Sequence, residues 1–250
     1  MKRITIILLF SFVAAIASVV TSTSTPPEGE IDSTAEHMLK EMSRKLAAAK
    51  QVSFHIDATA DLVDENGIVY EVARSMEVAL RRPNRITMQM RGVEGNRGFR
   101  YDGKNAFLYH IDFEFYSTVK AGRSIDATLD MLWDDYDFVF PFADLIHSDP
   151  YEMLMDGVEE AYDLGWGSVD GVTCRHLLFR QPGADWQIWI EDSVWQYPRK
   201  FVMVDTDIEG MPRYSATFSD WDYGAELSDA LFEFNPPEQA KKIRWAKVSQ

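Results

Sequence analysis

From Val52 the chain alternates: Val52, Phe54, Ile56, Ala58, Ala60 and Leu62 are apolar, while Ser53, His55, Asp57, Thr59 and Asp61 are polar. A period of two predicts a strand with one buried and one wet face. After the turn signal Asp64-Glu65-Asn66-Gly67 the pattern returns. Ile68, Tyr70, Val72, Met76, Val78 and Leu80 now oppose Glu71, Ser75, Glu77 and Arg81. Pro83-Asn84 breaks it, and Ile86, Met88 and Met90 resume it. Further strands are predicted over 99–101, 106–110 and 113–119. Upstream, Ala35, Met38, Leu39, Met42 and Leu46 recur at helical spacing. They predict an amphipathic helix ending near Lys50, opened by Ser33-Thr34-Ala35-Glu36 as a capping box.

The period becomes helical again after Ser124, which can cap a helix with Ile125, Leu129, Leu132, Trp133 and Tyr136 on one face. Phe142, Leu145 and Ile146 suit a helical turn after Pro141. Asp149-Pro150 sets an N-cap before a first-turn proline, ahead of Tyr151, Leu154, Met155 and Val158. Strands resume near Glu160 and continue over 172–180, 186–191, 199–206 and 213–221, with a short helical turn at 227–231. No fixed repeat and no interior linker interrupts the order. Long strands with one apolar face must close over something. The expected class is α+β: a strongly curved antiparallel sheet, an open half-barrel, with helices packed on its concave face.

The first residues differ in kind. Met1-Lys2-Arg3 precede an apolar run from Ile4 to Val20, then Thr21 to Pro27 are small, polar or proline. This is the layout of a secretory leader, with Ala15-Ile16-Ala17 as the cleavage site. The expected division is a signal peptide over 1–17, a flexible linker over 18–31 and one domain over 32–250. The run is short for a membrane span of about 20 residues, so no stable anchor is expected after cleavage, and the product should be periplasmic. The net charge of −15 falls to −17 without Lys2 and Arg3. A chain this acidic repels phosphate backbones, so nucleic acid is excluded as a partner. The single cysteine, Cys174, excludes an internal disulfide and a multi-cysteine metal site.

Several segments carry a family resemblance. They are Arg81-Arg82-Pro83, Tyr101-Asp102-Gly103-Lys104, Ile125-Asp126-Ala127, Pro141-Phe142-Ala143-Asp144-Leu145, Val169-Asp170-Gly171-Val172 with Cys174 and His176, Asp185-Trp186-Gln187-Ile188-Trp189-Ile190, and Phe234-Asn235-Pro236-Pro237. With them the mature chain resembles DUF2092, a family of predicted periplasmic proteins. The stretch from Val52 to Lys104 also looks like the lipoprotein-carrier (LolA/LolB-like) fold. That resemblance implies an open barrel whose helices plug an apolar cavity. It further implies that the arginine before the matching proline, here Arg82, latches the lid helices; Arg74 shares its parity and offers a second inward charge.

The remaining chemistry is sparse. Cys174 and His176 lie two apart on one strand, about 7 Å from each other and too far for direct proton transfer. His37, His55, His110, His147 and His176 show no metal-ligand spacing, and there is no nucleophile elbow, P-loop or dinucleotide fingerprint. An enzyme would have to draw on carboxylates such as Asp102, Asp126 or Asp144. No catalytic residue, metal or cofactor is therefore assigned. The expected function is non-enzymatic binding of a lipid or lipoprotein acyl chain. The expected cavity lining is Phe54, Ile56, Tyr70, Val72, Met76, Val78, Ile86, Met88, Leu129 and Trp133. The alternative is an envelope protein-interaction or sensor module with a filled core, using Trp189 and Trp195 as partner contacts.

Overall fold

The computed structural model describes residues 29–63, 68–93, 95–208 and 210–246. The expected leader, nearly all of the linker and the 64–67 turn lie outside them. The first element, α1 (Ser33–Ala48), buries Ala35, Leu39, Met42 and Leu46, the stripe read from the sequence. Its cap is Asp32, not Ser33: the Asp32 carboxylate accepts from the Thr34 and Ala35 N–H groups at 2.8 and 2.9 Å. A carboxylate also suits the positive end of the helix dipole better than a hydroxyl does.

Six strands then form a meander: β1 (Gln51–Val63), β2 (Val69–Arg81), β3 (Arg85–Gly92), β4 (Arg97–Tyr101), β5 (Asn105–His110) and β6 (Phe115–Lys120). A long connection carries α2 (Ile125–Tyr136), α3 (Ala143–Ile146) and α4 (Pro150–Met155). The second meander is β7 (Glu160–Val169), β8 (Val172–Gln181), β9 (Ala184–Glu191), β10 (Pro198–Asp205) and β11 (Arg213–Asp222). β11 returns to pair with β1, so the two meanders share one sheet. A last short strand, β12 (Lys241–Lys242), runs parallel along β6. The strand order is β12-β6-β5-β4-β3-β2-β1-β11-β10-β9-β8-β7, an open sheet whose two ends do not meet. The fold is the expected one, an unclosed half-barrel with helices on one face.

This order dictates the path of the helical segment. β6 and β7 stand near opposite ends of the sheet, so residues 121–159 have to cross its whole face. The crossing buries the apolar face of the strands. Ile56, Met76, Leu80, Ile86, Phe99, Ile188 and Phe218 join the α1 stripe and Ile125, Leu129, Leu132, Leu145, Ile146 and Leu154 in one core cluster. The caps of α2 and α4 are local and as expected. The Ser124 hydroxyl accepts from Ala127 N–H at 3.2 Å, and the Asp149 carboxylate accepts from Glu152 N–H at 3.2 Å ahead of Pro150.

Candidate functional site

Eight of the ten residues expected to line a cavity face the interior. Phe54, Ile56, Val72, Met76, Val78, Ile86, Met88 and Leu129 are 0–5% exposed. Two do not. Tyr70 is 46% exposed, because it stands near the tip of the β1–β2 hairpin, outward of Val72. Trp133 is 57% exposed. The buried stripe of α2 runs through Ile125, Thr128, Leu129 and Leu132, and at 100° per residue Trp133 falls about 90° from its centre.

Part of the cover over the apolar face is a segment that periodicity did not reveal. Between α2 and α3 the chain is irregular from Asp137 to Phe142, and Phe138, Phe140 and Phe142 all turn onto the sheet. Phe138 stacks on Phe99 of β4 with centroids 5.6 Å apart, and Phe140 meets the same ring edge-on at 5.4 Å. Phe142 packs on Phe218 and Tyr214 of β11, at 5.0 and 5.5 Å. These three rings thus bridge the half-barrel from one meander to the other. Both ends of the segment have left-handed backbone, with φ of 53° at Asp137 and 57° at Phe142. That conformation strains a residue with a Cβ, most of all one as bulky as Phe, so surrounding contacts must hold it. The alternation of Phe138, Phe140 and Phe142 across Pro141 was the available signal.

Arg82 fastens the same segment. Its guanidinium Nη1 donates to the Ile146 carbonyl, at the end of α3, at 2.8 Å. Its Nε and Nη2 are buried without a hydrogen-bond partner among the described residues. Burial pulls the Arg82 pKa below its ordinary value, and Asp126 opposes that shift. Asp126 itself accepts from the backbone N–H and the hydroxyl of Ser148, tying α2 to the end of α3. Arg74 is half-buried and lies near Tyr214, whose phenol burial pushes up to about 12.

The other candidates are spread over the molecule. Trp189 is half-buried, its indole stacked on His176 at 3.9 Å with the Lys200 ammonium 5.3 Å from it. Trp195 is 53% exposed at the tip of the β9–β10 loop, next to Val194, whose carbonyl accepts from Lys45 of α1 at 2.6 Å. His176 shares a hydrogen bond with Gln187 at 2.9 Å, and Cys174 is buried with its thiol pKa raised by that burial. Asp102 accepts from Lys104 and Asn105 N–H groups, a turn bond, and Asp144 sits in the first turn of α3. Among the described residues no cluster of His, Cys, Asp and Glu could hold a metal ion.

Among the surface depressions of the described residues, two stand out. One of about 410 Å³ is lined by Asp57, Thr59, Ala73, Ser75, Ser215 and Thr217 with Ala58 and Arg74, mostly positions that alternate with the core. The other, about 200 Å³, lies among Glu159, Glu160, Arg180, Gln181 and Asp185. Neither borders Ile56, Met76 or the phenylalanine segment.

None of the curated proteins matches the chain. Solved structures do. An uncharacterized conserved protein from Thermus thermophilus is similar at a TM-score of 0.50 and 12% identity, over 84% of this chain and 99% of that one. Lipoprotein LppX from Mycobacterium tuberculosis gives a TM-score of 0.44 and 14% identity, over 79% of this chain and 100% of that one. A LolA superfamily protein from Nitrosomonas europaea gives 0.39 and 10%, over 80% and 97% of the two chains. At 12% identity the likeness to the Thermus protein concerns the fold alone. The family model DUF2092, described as predicted periplasmic protein, matches residues 35–246, and the chain therefore belongs to that family.

Proposed function

We propose that the protein binds a lipid or lipoprotein acyl chain between the sheet and the 121–159 segment, without catalysing a reaction on it. One observation carries this reading: between α2 and α3 the apolar face is covered by three phenylalanines on an irregular, strained segment rather than by a helix. Such a plug can leave as a unit, and an acyl chain presents the same kind of surface to the sheet. The energetics set a threshold. Burying three Phe side chains is worth about 5–9 kcal/mol in all, and each methylene of an acyl chain about 0.8 kcal/mol. A chain of about 16 carbons offers about 12 kcal/mol and can replace the plug, whereas one of about 6 carbons cannot. Arg82 is the latch in this reading, because its bond to Ile146 ties the segment to the sheet.

The test is displacement of a fluorescent fatty acid by unlabelled acids of increasing length. Long chains should compete and those shorter than about ten carbons should not. Arg82→Met should speed uptake while leaving the unfolding temperature unchanged or higher, since it removes a guanidinium with two unpaired nitrogens. A lower unfolding temperature with unaltered uptake would make Arg82 merely structural. If no length of chain binds, the reading fails. The second reading then stands: an envelope protein-interaction module, favoured by the near-complete burial of the expected lining, with the exposed Trp195 as contact.

A further inference from the structure

After β11 the chain does not end at the sheet. It leads away from the ends of β1 and β2, where Leu227 N–H donates to the Gln51 side chain at 3.0 Å and Arg81 donates to the Leu227 carbonyl at 3.0 Å. Arg81 also lies over the buried ring of Phe232, and Arg100 of β4 donates to the Leu231 carbonyl at 3.3 Å. Phe234 then settles among Phe107, Tyr109 and Tyr116, with centroids 5.2–5.7 Å away. Beyond Pro236-Pro237 the chain reaches the sheet edge. Lys241 N–H donates to the Glu114 carbonyl and Ile243 N–H to the Tyr116 carbonyl, each at 2.8 Å. Trp245 next packs on Tyr136 and Phe138, at 5.6 and 5.4 Å.

We propose that the β6 edge with the Tyr136–Phe138 socket is a docking site for an extended basic peptide of a partner protein, occupied in cis by the chain's own Lys241–Trp245. This inference does not rest on the acyl-chain reading, although Phe138 belongs to both the plug and the socket. An edge strand is a template for a further strand, and strand addition combines backbone bonds with side-chain pockets. The cis occupant shows what the site accepts: an extended backbone parallel to β6, and an aromatic ring in the socket. It also fits incompletely. β12 pairs only with Phe115 and Tyr116, and among the described residues Ser117–Lys120 have no strand on that side. A partner strand following β6 to its end would form more of the ladder than β12 does. The tip is also separately releasable. Lys241, Lys242, Ile243 and Arg244 are exposed, whereas Phe234 upstream keeps its own three-ring contact.

Charge defines the partner. Lys241, Lys242 and Arg244 carry three positive charges with no acid among them, on a chain of net charge −15. In the chain, Glu114 precedes Phe115 and Asp134, Asp135 and Asp137 neighbour Tyr136 and Phe138, against Lys120 as the one basic residue of β6. An acidic rim of this kind attracts a basic peptide and repels an acidic one.

The test uses the full chain and a fluorescein-labelled peptide of residues 239–246, followed by anisotropy. Trp245→Ala empties the socket in cis, so this variant should bind the peptide about tenfold more tightly than the native chain does. Raising the salt from about 0.05 to about 0.5 M should weaken binding, because it screens the acidic rim. A peptide carrying Trp245→Ala should not bind. Should Trp245→Ala fail to fold, Ile243→Pro serves instead, since it removes one edge donor and keeps the indole; it should also bind the peptide more tightly than the native chain. Folded variants that bind the peptide no better than the native chain overturn the proposal. So does a native dimer, seen by light scattering, that dissociates with Trp245→Ala, since the occupant is then a second copy.

Discussion

His55 stands on the polar side of β1 between two carboxylates. Its Nδ1 is 2.8 Å from Glu77 and its Nε2 is 3.2 Å from Asp57, with the Ser75 hydroxyl 3.4 Å from Nε2. Burial disfavours the charged ring, but the bonds to Glu77 and Asp57 outweigh it, and the pKa rises above its ordinary value. A group whose pKa is raised by folding stabilises the fold while the unfolded chain also holds the proton. That contribution is complete below about pH 6.5 and disappears as pH climbs through the raised folded pKa. His55→Asn should therefore cost more stability at about pH 5.5 than at about pH 8.5, by about 1 kcal/mol or less because both partners are largely exposed. Urea unfolding at the two pH values measures it; an equal cost at both would show that the ring acts by packing alone. Arg82 has the opposite character. Its partner, Ile146, lies 64 positions away, so alternation could place it inward but could not show what it would meet.

At the scale of elements, the segment from Asp137 to Phe142 contrasts with α1. The helix is legible because Ala35, Leu39, Met42 and Leu46 repeat along one stripe, and it would pack against almost any apolar face. The segment has no repeat of its own and takes its shape from Phe99, Phe218 and Tyr214, which belong to strands far apart in sequence. Phe140 lies at its centre, 3% exposed. Phe140→Ala should destabilise the protein by about 3–5 kcal/mol if the core around it stays as it is. A loss under about 1 kcal/mol in urea or thermal unfolding would mean that the segment collapses into the gap, which is the plasticity that displacement by a ligand needs. Trp133 teaches a related lesson: it looked like part of the α2 stripe, and a shift of one residue around the helix put it in solvent.

For the whole molecule, the decisive feature is that one chain crosses its own open sheet between two meanders. A ligand that binds only the folded, opened form raises stability by mass action. A long-chain fatty acid at a hundred times its dissociation constant should stabilise the fold by about 2.7 kcal/mol, which for a chain of this size is about 5–10 °C in unfolding temperature. A thermal scan with and without the acid reads this directly, and an unchanged midpoint at saturating acid would count against the acyl-chain site.

Alternation along Val52–Leu62 and Val72–Leu80, helical spacing along Ala35–Leu46, and turn residues at Asp102-Gly103 are local properties, so the strands, the main helices and the burial of Ile56, Met76 and Ile86 were legible from sequence alone. Each follows from a side chain's own position on a pleat or a helix. The tertiary structure alone decided three things. It set β11 beside β1, it placed Phe138, Phe140 and Phe142 between the meanders, and it carried Trp245 round the β6 edge onto Phe138. Those contacts join residues with no common period, and their stability comes from apolar surface that exists only once both partners are assembled.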